Sequence, residues 1–599
     1  SFCTLLVSVR DRIRRISAPP MAEVDRTDGG DASQRAERAR RFQSLLDTYE
    51  APPPLRRVAL GDEATFHELA DACATDVVDK NGCGLAHYAV LAGRIDWLER
   101  CRASEDLWRP TTAKTRRTIA YAAAAGGHVH MLRHVAAILG TDFLRYPRHD
   151  GLTIAHAAVL DGHMDVLQEI EAVLGVDFLR TSDRDGWTIA HAAAQEGHLD
   201  LLSYIEDRLG SAFLRITPDS GWTIAHSAVT RGRVEVLEFI ERRLDREFLA
   251  QPKTNGWTIA HAAALKGNVE VLQFLADRLG SGFVRQVDKR GTTVAHAAAE
   301  GGHVGMLRHI VGLFTADFLE RAKLSGWTVA HSAAIDGQCD VLRYLKETAG
   351  VGLLKRGDNN GMTAAHMAAV NGHIAALEVL EELLGTEFLR VPTTDGQTIA
   401  HVAAELGHVP MLKHIASRLG EGFLRQTMQN GCSTAHSAAL LGQIDALEFL
   451  RATLGVEFLQ CPLRDGWTIA HSAAVRGNVK ALQFIADHVD RELLEARRLD
   501  GWTPTHVAAL NGEMGALEYL EETIGAEKML RQDRSRRDFS HPAAKRGHMT
   551  VLRYHAQLKA WVDANQRTDV AGGENPADAL PRVARPMRPT PVRPANATS

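Results

Sequence analysis

Aromatic residues are scarce in this chain, 6% of 599 residues, and cysteine is scarcer still, with seven at positions 3, 73, 83, 101, 339, 432 and 461. No two of them form a C-x-x-C pair and their spacing is irregular. Neither a zinc site nor a disulfide framework is supported, and the expected location is a reducing intracellular compartment, taken as the cytoplasm, with delivery into another cell as an open alternative. No apolar run approaches the roughly 18 residues that a membrane-spanning helix needs. Excess charge is also lacking: the formal net charge is −5, too small to draw in a polyanion by bulk attraction. The phosphate-loop pattern G-x-x-x-x-G-K-[ST], the nucleophile elbow G-x-S-x-G and the metal motif H-E-x-x-H do not occur. Acidic residues and cysteines hold no repeated catalytic arrangement. The expectation is therefore a chain without enzymatic activity, cofactor or metal.

What the chain has in abundance is one sentence written many times. DGWTIAHAAA at 185–194 returns as NGWTIAHAAA at 255–264 and as DGWTIAHSAA at 465–474. Its histidine recurs at 156, 191, 226, 261, 296, 331, 366, 401, 436, 471, 506 and 541, always 35 residues apart. Tyr121 holds the place one unit earlier, and His87 lies 34 residues before that. A glycine keeps the same step from Gly127 to Gly547. The register amounts to fourteen units, with a partial one ahead at about 52–80. Self-similarity of this period is the mark of a repeat architecture.

One unit, Asp185 to Asp219, shows what each copy predicts. Asp185-Gly186 signals a turn. Thr188 is an N-cap candidate before the Ala-rich run Ile189–Glu196, and Gly197 ends that run. A second helix follows, with Leu199, Leu202, Tyr204, Ile205 and Leu209 on one broad face. Gly210 breaks it, and Phe213-Leu214 forms an apolar anchor repeated along the chain, for example as Phe248-Leu249 and Phe423-Leu424. Helices this short cannot bury their faces alone; stacking makes each unit the interior of the next.

These residues resemble the ankyrin-repeat family. Its T-P-L-H-x-A-A-x-x-G-H pattern is met by Thr188-Ile189-Ala190-His191-Ala192-Ala193-Ala194 with Gly197-His198, and more closely by Thr503-Pro504-Thr505-His506-Val507-Ala508-Ala509. The unit is two residues longer than the familiar 33; the extra length falls in the Leu-Gly-x-x-Phe-Leu segment, where a longer second helix or an added turn is expected. The resemblance implies an all-α, ankyrin-type α-solenoid of tandem 35-residue helix–turn–helix repeats, with paired antiparallel helices, a projecting hairpin-like loop and a concave face that binds other proteins. It also implies that the register histidine hydrogen-bonds within and between repeats.

A row of histidines could instead hold metal or act as bases. Neighbouring helices pack about 8–10 Å apart, whereas two histidines on one zinc ion lie within about 4 Å of each other. Thr188, His191, Gly197, His226, His261 and His471 are therefore read as structural. The second series after the glycine (His128, His163, His198, His303, His373, His408, His548) is replaced elsewhere by Arg233, Asn268, Gln338, Gln443, Asn478 and Glu513; that tolerance suits a helix start rather than a ligand. Binding should sit where the repeat varies. The position after the turn glycine carries Trp187, Trp222, Trp257, Trp327, Trp467 and Trp502, and tryptophan is favoured at interface hot spots. The two residues before the helix-ending glycine, among them Gln195, Glu196, Thr230, Arg231, Leu265 and Lys266, should face the same side. Their mixed charge argues against a nucleic-acid groove and for a protein or peptide.

The domain reading is a disordered or non-native leader at 1–51, a repeat array at 52–560 and a disordered Pro/Arg-rich tail at 561–599. The functional reading is a monomeric, non-enzymatic scaffold or adaptor that binds partner proteins on the concave face and loop rim. The alternatives are an effector or adaptor whose termini recruit other machinery, and an enzyme with an unrecognised site near one end.

Overall fold

The computed structural model describes residues 50–72, 74, 77–102 and 117–571. The expected leader and Pro/Arg-rich tail fall, apart from their inner edges, outside the described residues. The chain divides into two compact units, Ser1–Val294 and Ala295–Ser599. Both are helical repeats: among the described residues there is no strand, only two isolated bridges, Ser182 with Thr188 and Thr427 with Ser433. Each pins the start of a loop to the threonine or serine that opens the next helix.

Local chemistry sets each element. In the repeat around His191, Thr188 caps a first helix, Ile189–Glu196, which ends at Gly197 in the left-handed region. A second helix, Leu199–Leu209, stops at Gly210, whose φ of 84° and ψ of 157° are open to few residues but glycine. Ser211–Leu214 then forms a single helical turn. The two extra residues of the repeat thus make an added turn rather than a longer helix. Where Asp245 and Thr315 stand in place of that glycine, the backbone still holds φ of 145° and 131°, so the break is imposed by the packing of the turn and not by glycine alone.

The first helix is Ala-rich because its neighbours leave no room for more. First helices of successive repeats lie directly against one another: Ile189–Glu196 against Ile224–Thr230 in the first unit, and Ile399–Glu405 against Thr434–Leu441 in the second. Ala192, Ala193 and Ala194 are fully buried in that contact. The bulk comes from the second helix and the added turn, where Leu201, Leu202, Ile205, Phe213 and Leu214 are buried. Each such Leu or Phe removed from water contributes about 1.5–3 kcal/mol.

The partial repeat at the start supplies helices Pro53–Ala59 and Glu63–Asp71, the second capped by Asp62. Its Phe66 stacks on Trp97 with centroids 4.4 Å apart. The last repeat is closed by a helix running from Met549 to Ala571, past the boundary at 560 set from composition. Tyr554, Leu558 and Val562 on that helix are buried, which is why the polar sequence around them stays helical.

Candidate functional site

The register histidine links three pieces of backbone. In His191, Nδ1 accepts from the Thr188 hydroxyl at 2.9 Å and faces the Thr188 N–H at 3.3 Å. Nε2 donates to the carbonyl of Trp222 in the next repeat at 3.1 Å. The same bond runs from His156 to Trp187, His226 to Trp257 and His261 to Thr292 in the first unit. In the second unit it runs from His296 to Trp327 and on to His471 with Trp502. Both ring nitrogens are committed to one tautomer, so these imidazoles have nothing left for a metal or a substrate. Burial pushes His191 and His471 down to about 4 and His226 to about 3, outweighing the bonds to the following carbonyls, which act the other way.

Three further ladders join the repeats. The residue that opens the second helix does not cap its own helix; it reaches back to the last carbonyls of the first helix in the preceding repeat. His163 Nε2 meets Ala125 O at 3.0 Å and Asn268 Nδ2 meets Val229 O at 2.6 Å. In the second unit Gln338, His408 and Asn478 do the same. These residues stand at the start of the second helix, as their tolerance suggested, and those with a side-chain N–H also tie it to the preceding repeat. The arginine after the Phe-Leu anchor caps the second helix of the following repeat. Arg215 Nη2 lies 2.7 Å from Leu244 O, with its guanidinium 5.3 Å from the Phe248 ring; Arg425 repeats this with Leu454 and Phe458. Finally, loop tips are joined by backbone bonds such as Thr254 N to Ser220 O and Lys289 N to Asn255 O.

Against this scaffold the six tryptophans are half-buried. Each ring lies over the histidine four residues on, from 5.0 Å for Trp257 and His261 to 6.3 Å for Trp327 and His331. Trp187, Trp222, Trp467 and Trp502 pair likewise with His191, His226, His471 and His506. Their indole N–H groups differ. Trp222 donates to Ser227 Oγ at 2.9 Å, Trp467 to Ser472 Oγ at 2.8 Å, and Trp327 to Asp358 Oδ2 at 3.2 Å in the next repeat. Lys253 sits over Trp222 and Arg498 over Trp467. The rings are thus braced by a histidine and, at Trp222, Trp327 and Trp467, by a cation as well.

The residues at the end of the first helix do not form one uniform surface. Glu196 is buried, bonded by Gln195 at 2.9 Å and paired with Arg231 at 3.5 Å. Thr230 turns its hydroxyl back to Ser227 O at 2.7 Å. Leu265 is half-buried and Lys266 exposed. In the second unit Glu300 accepts from Lys323 at 2.8 Å and from Ser332 at 3.2 Å, and Gln397 reaches Glu405 at 3.2 Å. These last pairs show that loop residues and helix ends meet on one face. Beside Glu300, Asp336 is pushed up to about 6, first by burial and then by the Glu300 charge. Among the described residues no group of three His, Cys, Asp or Glu side chains is placed to hold a metal, and no helix is long and apolar enough to cross a membrane.

The face carries half-buried aromatic rings and paired charges. A family model described as ankyrin repeats (3 copies) matches the chain at residues 156–245, 239–319, 309–388 and 451–533. No curated protein matches it.

Proposed function

Because the chain belongs to the ankyrin-repeat family, whose repeats are in general protein–protein interaction modules, we propose that it is a monomeric, non-enzymatic scaffold or adaptor. It grips partner proteins on the face formed by the loop rim and the ends of the first helices. The observation that supports this most directly is the division of labour in the six repeats that carry a tryptophan: the histidine is fully committed to the scaffold, while the tryptophan stacked on it is only half-buried. A ring already fixed by its neighbour loses little freedom on binding, so its contact area converts to affinity with a small ordering cost. Partner contact should extend over several adjacent repeats, since one rim residue offers too little area for a stable complex.

The test is cross-linked partner recovery with the full chain and with a Trp187→Ala, Trp222→Ala, Trp257→Ala variant whose helical signal and unfolding midpoint are checked first. Loss of one or more partners from a folded variant is expected. Identical recovery from both proteins would remove the rim from the reading. If the triple variant unfolds, the Phe versions, which keep the ring stacked on the histidine, replace it.

A further inference from the structure

The tryptophans of the first unit share a register but not a hydrogen-bonding state. Trp222 donates to Ser227. At the matching positions after Trp187 and Trp257 stand Ala192 and Ala262, and neither indole N–H has an acceptor among the described residues. Two donors without an acceptor therefore stand two repeats apart, about 16–20 Å, the length of five or six residues of extended chain.

Around Trp257 the exposed charge is positive, while Asp185 and Asp219 stand exposed on the loops nearer Trp187. Lys266, Lys289 and Arg290 are exposed and make no ion pair among the described residues. The acid of their loop, Asp288, is buried and spends its carboxylate on the turn, accepting from Arg290 N at 2.9 Å and Thr292 N at 2.7 Å. Glu196 is already matched by Arg231. The loop position and helix end meet on one face at the same register of the second unit, in the Gln397–Glu405 bond, which assigns Trp257, Leu265 and Lys266 to the corresponding face here.

Resting on the reading of this face as protein-binding, we infer that the rim of the first unit from Trp187 to Arg290 takes an extended, acidic peptide segment. Its carboxylates pair with Lys266, Lys289 and Arg290, and its backbone carbonyls accept from the N–H groups of Trp187 and Trp257. Three cations broken by an apolar Leu265 do not make the continuous stripe that follows a phosphate backbone, whereas N–H donors at strand-length spacing fit peptide carbonyls.

The probe is a displayed library of random 12-residue peptides, selected on the full chain. Recovered peptides are expected to be rich in Asp and Glu and to bind in solution about tenfold more weakly to a Lys266→Gln, Lys289→Gln, Arg290→Gln variant. Trp257→Phe, which keeps the ring and removes the N–H, should weaken them about fivefold, with a smaller loss for Trp222→Phe, whose N–H is already engaged. An unfolding midpoint equal to the parent's for each variant excludes a folding effect. Recovery of no binder, of peptides without acidic enrichment, or of acidic peptides indifferent to the charge variant would overturn the inference. So would displacement of the peptide by an oligothymidylate of equal charge, which would make the site a general anion surface. Partner recovery that depends on the tryptophans but shows none of these peptide effects would leave the proposed function standing and remove only the acidic ligand.

Discussion

Only a neutral imidazole fits where His191 sits, because its Nδ1 must accept from Thr188 while its Nε2 donates to Trp222. Protonation would set two donors face to face inside the repeat. Burial accordingly holds His87, His156, His191, His366, His401, His436 and His471 at about 4 and His226 at about 3. In an unfolded chain each would titrate near 6.5. The folded form thus refuses protons that the unfolded form takes up, so the stability these groups protect is complete above about pH 6.5 and is lost as pH falls toward 4. The urea midpoint should drop steeply across that window, with uptake of several protons on unfolding; a midpoint flat from pH 7 to pH 5 would contradict the burial. His191→Phe should cost about 2–4 kcal/mol in urea denaturation, from the lost cap and the orphaned carbonyl. The turn glycine offers a second residue-level check. At Gly151, φ is 94° and a Cβ would come within 2.6 Å of Arg184 N in the next loop. Arg536 fills the same register at φ 58°, with no further loop among the described residues to strike. Gly151→Ala should therefore destabilise by more than 1 kcal/mol, while Arg536→Gly should leave the midpoint nearly unchanged. The histidine period was plain in the sequence; the conflict between the turn residue and the following loop was not, because it arises between segments 33 residues apart in the chain.

Among the elements, the added turn is what sets this repeat apart. It places Phe213 and Leu214 in the interior and launches Arg215 across to the next repeat, where it caps the helix ending at Leu244. Arg425→Met keeps an apolar stem but removes the cap, and about 1 kcal/mol should be lost in urea titration. The register can be tested as a whole. Removing residues 432–466, one full period of 35, brings Trp467 to the position where the Cys432 carbonyl now receives His401. That deletion should leave a cooperatively unfolding protein, whereas removing only 434–466 should not, because the histidine bond, the helix-end bond and the arginine cap would all miss their partners. Circular dichroism during heating reads the difference. The helices and their breaks were legible from Thr, Gly and apolar spacing. Whether the extra residues lengthen a helix or build a turn was not, since both satisfy the local pattern and only contact with the neighbouring repeat selects one.

For the molecule as a whole, stability belongs to neighbours rather than to single repeats. A peptide of residues 185–219 has nowhere to bury Leu201, Leu202 and Phe213 and should be unfolded by circular dichroism, while the block 151–290 of the first unit should fold, with stability rising as repeats are added. A folded single repeat would contradict the stacking account. The sequence alone determined the period, the helical class, the exclusion of a metal shared by the register histidines and the tryptophan positions, because these follow from local spacing and from the distance limits on a shared metal. Tertiary structure alone decided which side chains are spare. Trp187 and Trp257 differ from Trp222 through one hydroxyl five residues on, and Glu196 is buried and paired with Arg231. Hydrogen-bond partners between repeats depend on which segments stacking brings within about 3 Å, and no periodicity in the chain encodes that distance.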